Sequence, residues 1–330
     1  MRYLVALIVT LLASACMAEE WEDQRVFNAA ADGPRLRIIS STDTALFAPL
    51  IEGFLTQNPD VSVEYLVTGT ADLNARVRSA PEAFDVVISS AMDLQLKLAN
   101  DGFAMPLENM PGSDWAQWHD SLFAFTQEPA AIVINRAAFA GYPVPQTRQE
   151  LIEALRARPE AFRGKVGTYD IRQSGLGYLF ATQDARASET FWRLMEVMGG
   201  LDLRLYCCSG DMIDDLTSGS IAVAYNVLGS YATARVEGKE ALEVILPSDF
   251  QTTMMRTAMV VKNTQYPAVA EAFVRHLIVA GPELAPLPLL TSQQEQETAV
   301  ITLEPALLTY LDTLKRRKFL TAWEDAVIQK

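Results

Sequence analysis

The chain has 330 residues, half of them hydrophobic, which is enough for about two domains with buried cores. Its 41 acidic residues exceed its 27 basic residues and give a formal net charge of −14. A surface of this sign is unsuited to nucleic acid or to anionic lipid.

The N-terminus has the pattern of a secretory signal. One basic residue precedes an apolar run over residues 3–12 that is too short to span a bilayer, and small residues follow. We therefore predict a signal peptide over residues 1–18 and a periplasmic protein. Cleavage after Ala18 would release a soluble protein, whereas cleavage before Cys16 would leave a lipid-anchored one, and the sequence leaves both open. The polar residues 19–34 are predicted to form a tether.

Three early segments share one pattern, in which a β-branched strand leads into small polar residues and then a helix. The strands are predicted over 36–40, 61–67 and 85–89. If these strands are parallel, their carboxyl ends meet at one sheet edge, where α/β proteins bind ligands and helix N-termini favour anions. Each polar cluster alone would serve as a helix N-cap, but their convergence favours a binding site. The residues predicted at this edge are Ser41, Thr42, Thr68, Gly69, Thr70, Ser90 and Met92.

A glycine-rich turn over residues 169–177 opens a later helix. Arg172 and Ser174 supply hydrogen-bond donors, and Gly175 permits a tight backbone beside the helix N-terminus. Together with Tyr169 they predict a carboxylate or phosphate site. A solvated surface loop is the alternative.

A second polar loop follows the predicted strand over 221–225. Tyr225, Asn226 and Tyr231 offer two phenols and an amide, which suit an oxygen-rich ligand. Packing of the two rings at the strand end is the alternative.

Metal, cofactor and catalytic motifs are not predicted. His119 and His276 lack cysteine or histidine partners at ligand spacing, and the sequence has no nucleophile elbow, P-loop or dinucleotide fingerprint. Cys207 and Cys208 are adjacent, so they form either a strained vicinal disulfide or separate thiols. These observations predict a binding protein rather than an enzyme.

Five stretches together resemble a known family. They are LRIISSTDTALFAPLIEGFLTQNPDVSVEY, FDVVISSAMDLQLKLANDGFA, GKVGTYDIRQSGLGY, SGSIAVAYNVLGSYA and VVKNTQYPAVAEAFVRHLI. The chain resembles the periplasmic solute-binding proteins of ABC importers with the type-2 fold, in the iron(III)-type, family 1 branch. The resemblance implies an α/β fold of two lobes, each a mixed sheet flanked by helices, joined by two crossover hinges. Lobe one would comprise residues 35–126 plus 254–330, and lobe two residues 127–253.

The resemblance also implies a solute held between the lobes. Iron-binding members use two neighbouring tyrosines, often with a histidine, whereas Tyr225 and Tyr231 are six residues apart and have no histidine nearby. Other members bind sugar phosphates, phosphonates or organic acids, which suit Arg172 better, and Arg256 would add a second positive contact. An electropositive cleft within an acidic molecule is therefore expected.

The resulting prediction is a protein that captures a small anionic solute, a carboxylate or phosphate ester, and delivers it to an ABC permease in the inner membrane. Binding of ferric iron or an iron chelate, partnership with a membrane sensor kinase, and an enzyme built on the same fold are the alternatives.

Overall fold

The computed structural model describes residues 21–236, 238, 240–281, 284–290 and 300–329. The predicted signal peptide, with its alternative cleavage sites at Ala18 and Cys16, lies outside the described residues. Within the described part of the chain, no helix combines the length and apolar character needed to cross a membrane.

The first sheet places the three early strands side by side. Its seven strands are β1 (Asp23–Phe27), β2 (Arg35–Ser40), β3 (Ser62–Val67), β4 (Val86–Ser89), β5 (Gln117–Trp118), β6 (Leu122–Ala124) and β13 (Thr257–Val260). Their order is β1-β3-β2-β4-β13-β6-β5. Strand β2 runs parallel to both β3 and β4, whereas β1 and β13 are antiparallel to their neighbours. The carboxyl ends of β2, β3 and β4 therefore share one edge.

Four helices flank this sheet: α1 (Thr44–Gln57), α2 (Thr70–Ser79), α3 (Met92–Asn100) and α10 (Pro267–Val279). In α1, Phe47, Leu50 and Phe54 recur at helical spacing and are fully buried. Because α1, α2 and α3 each follow a parallel strand directly, their N-termini lie at the same sheet edge.

The second sheet is also mixed. Its strands are β7 (Glu128–Asn135), β8 (Val166–Tyr169), β9 (Arg204–Tyr206), β10 (Val223–Leu228) and β11 (Leu242–Ile245), with β12 (Thr253–Met254) paired to β7. Their order is β11-β7-β10-β8-β9. Strand β8 is parallel to β9 and β10, and β7 is antiparallel to β10 and β11.

The remaining helices are α4 (Arg148–Ala157), α5 (Pro159–Phe162), α6 (Gly175–Ala187), α7 (Thr190–Gly199), α8 (Ser209–Ser218), α9 (Gly229–Val236) and α11 (Thr313–Val327). Short 3₁₀ helices cover Pro81–Ala83, Asp114–Ala116, Arg136–Phe139 and Pro305–Leu311. The chain enters the second sheet between β6 and β7 and returns to the first between β12 and β13. Two mixed sheets flanked by helices confirm the predicted two-lobed α/β class.

The predicted tether contains a strand. Strand β1 pairs antiparallel with the outer edge of β3, with Asp23 opposite Val67. Phe27, at its end, is buried in the core of lobe one. Strand β1 is held mainly through backbone hydrogen bonds to an edge strand and buries only one side chain. The polar composition of residues 19–34 therefore gives no sign of a strand.

The C-terminal helix packs on the second lobe, whereas the prediction assigns residues 254–330 to lobe one. Phe319 and Trp323 of α11 join the core that contains α7, and Trp323 is 1% exposed. The backbone of α11 passes directly over Gly199 at the end of α7, where a Cβ atom would contact Ala326. Helix α11 thus ties the C-terminal part of the chain to lobe two.

Candidate functional site

A cavity of about 310 Å³ lies between the two lobes, at the edge where β2, β3 and β4 end. Segments of both sheets line it. From lobe one and the segment before β1 come Glu22, Ser41, Asp43, Thr68, Gly69, Thr70 and Ser90. From lobe two come Tyr169, Ser174, Leu176, Cys207, Cys208, Ser209, Gly210, Asp211, Leu228, Tyr231 and Arg235. Eight of the residues predicted from the sequence are therefore brought together: Ser41, Thr68, Gly69, Thr70, Ser90, Tyr169, Ser174 and Tyr231.

On the lobe-one side, hydroxyls link the loops after β2 and β4. The Ser41 Oγ atom accepts a hydrogen bond of 3.1 Å from the Ser90 N–H. After β3, the Thr68 hydroxyl donates to Asp72 over 2.7 Å. The carboxylate of Glu22 lies beside Gly69, the N-cap residue of α2, where its Oε1 atom would be 3.5 Å from a Cβ atom built on the glycine, and the Gly69 N–H acts to lower the pKa of this carboxyl. A carboxylate therefore already lies where this helix favours negative charge.

On the lobe-two side, the first turns of α6 and α8 face the cavity. The Ser174 Oγ atom caps α6 by accepting the Gly177 N–H over 3.1 Å. Ser209, the first residue of α8, is hydrogen-bonded to the Tyr169 hydroxyl. Burial raises the pKa of Tyr169, so its phenol stays protonated. Hydroxyl groups and helix N-termini from both lobes thus converge on one space.

Three sets of hydrogen bonds cross the cleft and hold the lobes together. The Asp43 N–H donates to the Tyr231 hydroxyl over 2.8 Å. The Arg235 guanidinium lies 3.1 Å from the Asp43 carboxylate. The Thr70 Oγ1 atom accepts the Gly175 N–H over 2.8 Å, at the N-terminus of α6. The described structure is therefore a closed form.

The side-chain charges of the cavity do not match the electropositive cleft expected from the sequence. Its lining contains three carboxylates, Glu22, Asp43 and Asp211, and one guanidinium, Arg235, which is shared between Asp43 and Asp214. Desolvation raises the pKa of Glu22, and the charges of Asp43 and Asp211 raise it further. The N-termini of the helices that begin at the cavity add partial positive charge, whereas its one guanidinium already pairs with two carboxylates.

Arg172 lies outside the cavity. Its guanidinium makes two hydrogen bonds to Asp170, of 2.8 and 2.7 Å, and lies 3.6 Å from Glu324 of α11. These contacts direct Arg172 towards α11, so the glycine-rich turn contributes Ser174 and Tyr169 to the cavity and not its arginine.

Arg256 and Thr42 lie beneath the cleft, where the lobes join. Arg256 is fully buried and forms an ion pair with Glu128, the first residue of β7, through two hydrogen bonds of 3.0 Å. Its Nη1 atom donates to the Thr42 hydroxyl over 2.5 Å. This arginine joins the two lobes and does not line the cavity.

Tyr225 and Asn226 belong to a buried network behind the cleft. The Tyr225 hydroxyl donates to Asp184 over 2.6 Å and accepts from Arg148 over 2.7 Å. The Asn226 amide donates to the same carboxylate over 2.8 Å. With its polar groups satisfied inside lobe two, this network holds β10 and α6 in place.

Met92 and Gly175 also lie outside the cavity. The Met92 sulfur accepts the Met255 N–H over 3.5 Å within the core. A Cβ atom on Gly175 would come within 2.7 Å of Leu94, so this glycine permits the close approach of the two lobes.

The site residues predicted from the sequence include none of the charged residues or thiols that line the cavity, namely Glu22, Asp43, Cys207, Cys208, Asp211 and Arg235. Glu22 was assigned to the tether. The segment around Cys207 and Cys208 repeats the strand, polar loop and helix pattern of the early segments, since β9 ends at Tyr206 and α8 begins at Ser209. Because β9 has only three residues, it is too short to be recognised as a strand from the sequence.

Comparisons with known proteins fit this arrangement. A family model described as bacterial extracellular solute-binding protein matches residues 39–282. The chain belongs to this family. No curated protein matches the chain.

Solved structures of solute-binding proteins share the fold. The substrate-binding protein of an ABC transporter from Agrobacterium tumefaciens is 28% identical, with a TM-score of 0.84, covering 92% of this chain and 98% of that one. AfuA from Actinobacillus pleuropneumoniae, with fructose-6-phosphate bound, is 14% identical, with a TM-score of 0.71 and coverage of 90% and 99%. Iron-bound HitA from Pseudomonas aeruginosa is 14% identical, with a TM-score of 0.67 and coverage of 89% and 99%.

Proposed function

We propose that this solute-binding protein captures a small anionic solute, a carboxylate or a phosphate ester, in the cavity between its lobes and delivers it to an ABC permease. The observation that carries the proposal is the Glu22 carboxylate at the Gly69 N–H of α2. It occupies the position that a carboxylate or phosphate of the solute would take.

The other side of the cavity supports the same solute class. The first turns of α6 and α8 present N–H groups and the hydroxyls of Ser174 and Ser209. Hydrogen bonds from such donors to a charged acceptor are each worth about 1.5–3 kcal/mol. Asp43 would accept a hydrogen bond from a hydroxyl group elsewhere on the solute. The size of the cavity suits a small molecule.

Delivery to a permease is supported by the family and by the similarity to the substrate-binding protein of the ABC transporter from Agrobacterium tumefaciens. The bound sugar phosphate of AfuA is a precedent for an anionic solute on this fold.

A cationic solute is the second candidate, because carboxylates outnumber guanidinium groups in the cavity. Iron-bound HitA is a precedent for a cation on the same fold.

Replacing Glu22 distinguishes the two candidates by the sign of the effect. A thermal-shift screen with phosphate esters, di- and tricarboxylates, phosphonates, polyamines and ferric salts would first identify a ligand that raises Tm. In Glu22→Gln, loss of about 1 kcal/mol of repulsion would tighten binding of an anion about fivefold, and loss of attraction would weaken binding of a cation by a similar factor. Glu160→Gln, at a side chain that is 87% exposed, is the control. Weaker binding in Glu22→Gln than in the control would refute the anionic solute.

A further inference from the structure

Two thiols and a carboxylate meet at the mouth of the cavity. Cys207 and Cys208 follow β9, and Asp211 lies in the first turn of α8, so one loop and one helix turn carry all three groups. Their ligand atoms all lie within 4.8 Å of one another. The Cys207 Sγ and Asp211 Oδ2 atoms are 3.7 Å apart.

The 3.7 Å separation of the Cys207 Sγ and Asp211 Oδ2 atoms matches the coordination shell of a thiophilic metal ion. With Zn–S bonds of about 2.3 Å and Zn–O bonds of about 2.0–2.2 Å, neighbouring ligand atoms of a tetrahedral zinc ion lie roughly 3.5–3.8 Å apart. Cys208 is the N-cap of α8, and helix geometry brings Asp211, three residues later, back over it. The three ligand groups therefore lie on one loop and one helix turn, close enough together to approach a single ion.

The surroundings favour a cation at this point. Glu22, across the cavity mouth, acts electrostatically on both Cys207 and Asp211. The nearest guanidinium of the cavity lining, Arg235, is already shared by Asp43 and Asp214. Thiolates select Zn²⁺, Cd²⁺ and Cu⁺ over hard cations such as Mg²⁺ and Ca²⁺.

We propose that Cys207, Cys208 and Asp211 bind one thiophilic metal ion, such as Zn²⁺, at the mouth of the cleft. The two thiols are ligands as thiolates, and their two protons pass to the solvent when the metal binds. The fourth coordination position faces the cavity. This site is separate from the proposed anion position at Gly69 and does not depend on the charge of the solute.

The test is a titration of the reduced, purified protein with Cd²⁺, followed by the ultraviolet thiolate-to-metal charge-transfer band and by calorimetry in two buffers of different ionisation enthalpy. The proposal predicts one ion per chain and release of two protons. Cys208→Ser and Asp211→Asn should each weaken binding at least about tenfold. Asp214→Asn, one turn along α8 on an exposed side chain, should bind within about twofold of the parent protein.

Three results would overturn the proposal: no charge-transfer band in the reduced protein, unchanged affinity in the Cys207→Ser, Cys208→Ser double variant, or equal affinity after oxidation of the two thiols to a disulfide. Thermal shifts with the solute panel in the double variant separate this site from the proposed function. An anionic solute that still raises Tm in that variant leaves the anion position standing whether or not the metal binds.

Discussion

Asp93, in the first turn of α3, is a carboxylate buried to 2% exposure beside the cleft. Desolvation raises its pKa to about 7, against the opposing effect of the Leu94 N–H, which donates to it over 2.9 Å. Because the pKa is about 3.9 in the unfolded chain, the native state binds this proton more tightly than the unfolded state does. Its contribution to stability is therefore largest at low pH and is lost as the pH rises from about 4 to 7.

Replacing Asp93 by asparagine should remove this loss of stability with rising pH. Between pH 5 and pH 8, the free energy of unfolding of the parent protein should fall by about 2–3 kcal/mol more than that of Asp93→Asn. Urea denaturation at the two pH values measures the difference.

Asp101, at the C-terminal end of α3, provides a comparison, because its pKa is lowered in the folded protein and not raised. Burial acts to raise its pKa, but hydrogen bonds from Lys97 and Arg78 outweigh this effect and lower it. Asp101→Asn should therefore lose a contribution that is present at neutral pH and disappears in acid. Equal pH dependence in all three proteins would contradict both assignments.

The residues predicted for the cleft fall into two groups. The position of some is set by the end of the preceding strand, and the position of others depends on an oppositely charged partner. Ser41, Thr68 and Ser90 reach the cavity because a strand end fixes where the next residues lie. The position of an arginine side chain depends on its partner. Arg172 forms an ion pair with Asp170, and Arg256 forms one with Glu128, and both carboxylates lie outside the cavity. Sequence predicts the loop but not which acid, nearby or distant, neutralises a cation.

Helix α11 packs against lobe two through a close backbone contact. A Cβ atom on Gly199 would lie 2.8 Å from Val327 Cα, in the backbone of α11, which cannot move away without undocking the helix. Gly199→Ala should therefore lower the free energy of unfolding by about 1–3 kcal/mol, as overpacked sites do. Urea denaturation gives the stability, and hydrogen exchange should show faster exchange across α11.

Gly200→Ala is the matched control. A Cβ atom there would meet the end of the flexible Gln329 side chain at 3.4 Å, and the Glu196 and Val197 carbonyl oxygens at ordinary contact distances of 3.6 and 3.7 Å. This variant should be neutral, or more stable by up to about 1 kcal/mol because alanine favours the helix. Equal destabilisation in both variants would show that the contact at Gly199 is not the cause.

Elements with a strong local signal were predicted, and elements that depend on distant partners were not. Strands β2, β3 and β4 are β-branched and bounded by polar turns. Strand β1 is polar and exists because β3 offers an unpaired edge. The docking of α11 on α7 joins residues more than a hundred positions apart, and no periodicity within either helix specifies it.

At the scale of the whole molecule, Asp43 forms the ion pair that crosses the cleft at the cavity, in addition to the buried Arg256–Glu128 pair beneath it. It lies 3.1 Å from Arg235 across the cleft, whereas Asp214 binds the same arginine over 2.9 Å within lobe two. Asp43→Asn should weaken the closed form by about 0.2–1 kcal/mol, the usual range for a partly exposed ion pair. Solution X-ray scattering of the solute-free protein should show a larger radius of gyration in Asp43→Asn.

Asp214→Asn is the control for this measurement, because it removes a partner of Arg235 without touching the contact between lobes. Its radius of gyration should equal that of the parent protein. An equal increase in the radius of gyration of Asp214→Asn and Asp43→Asn would show that the change arises within lobe two and not from opening of the two lobes.

The position of Glu22 places the start of the described chain beside the cleft entrance. Only three residues separate Glu22 from Ala18, the last residue of the predicted leader. An affinity tag or fluorophore attached within these three residues would lie next to the entrance through which the solute reaches the cavity. Labels for transport or affinity assays therefore belong on the opposite end of the polypeptide, beyond α11.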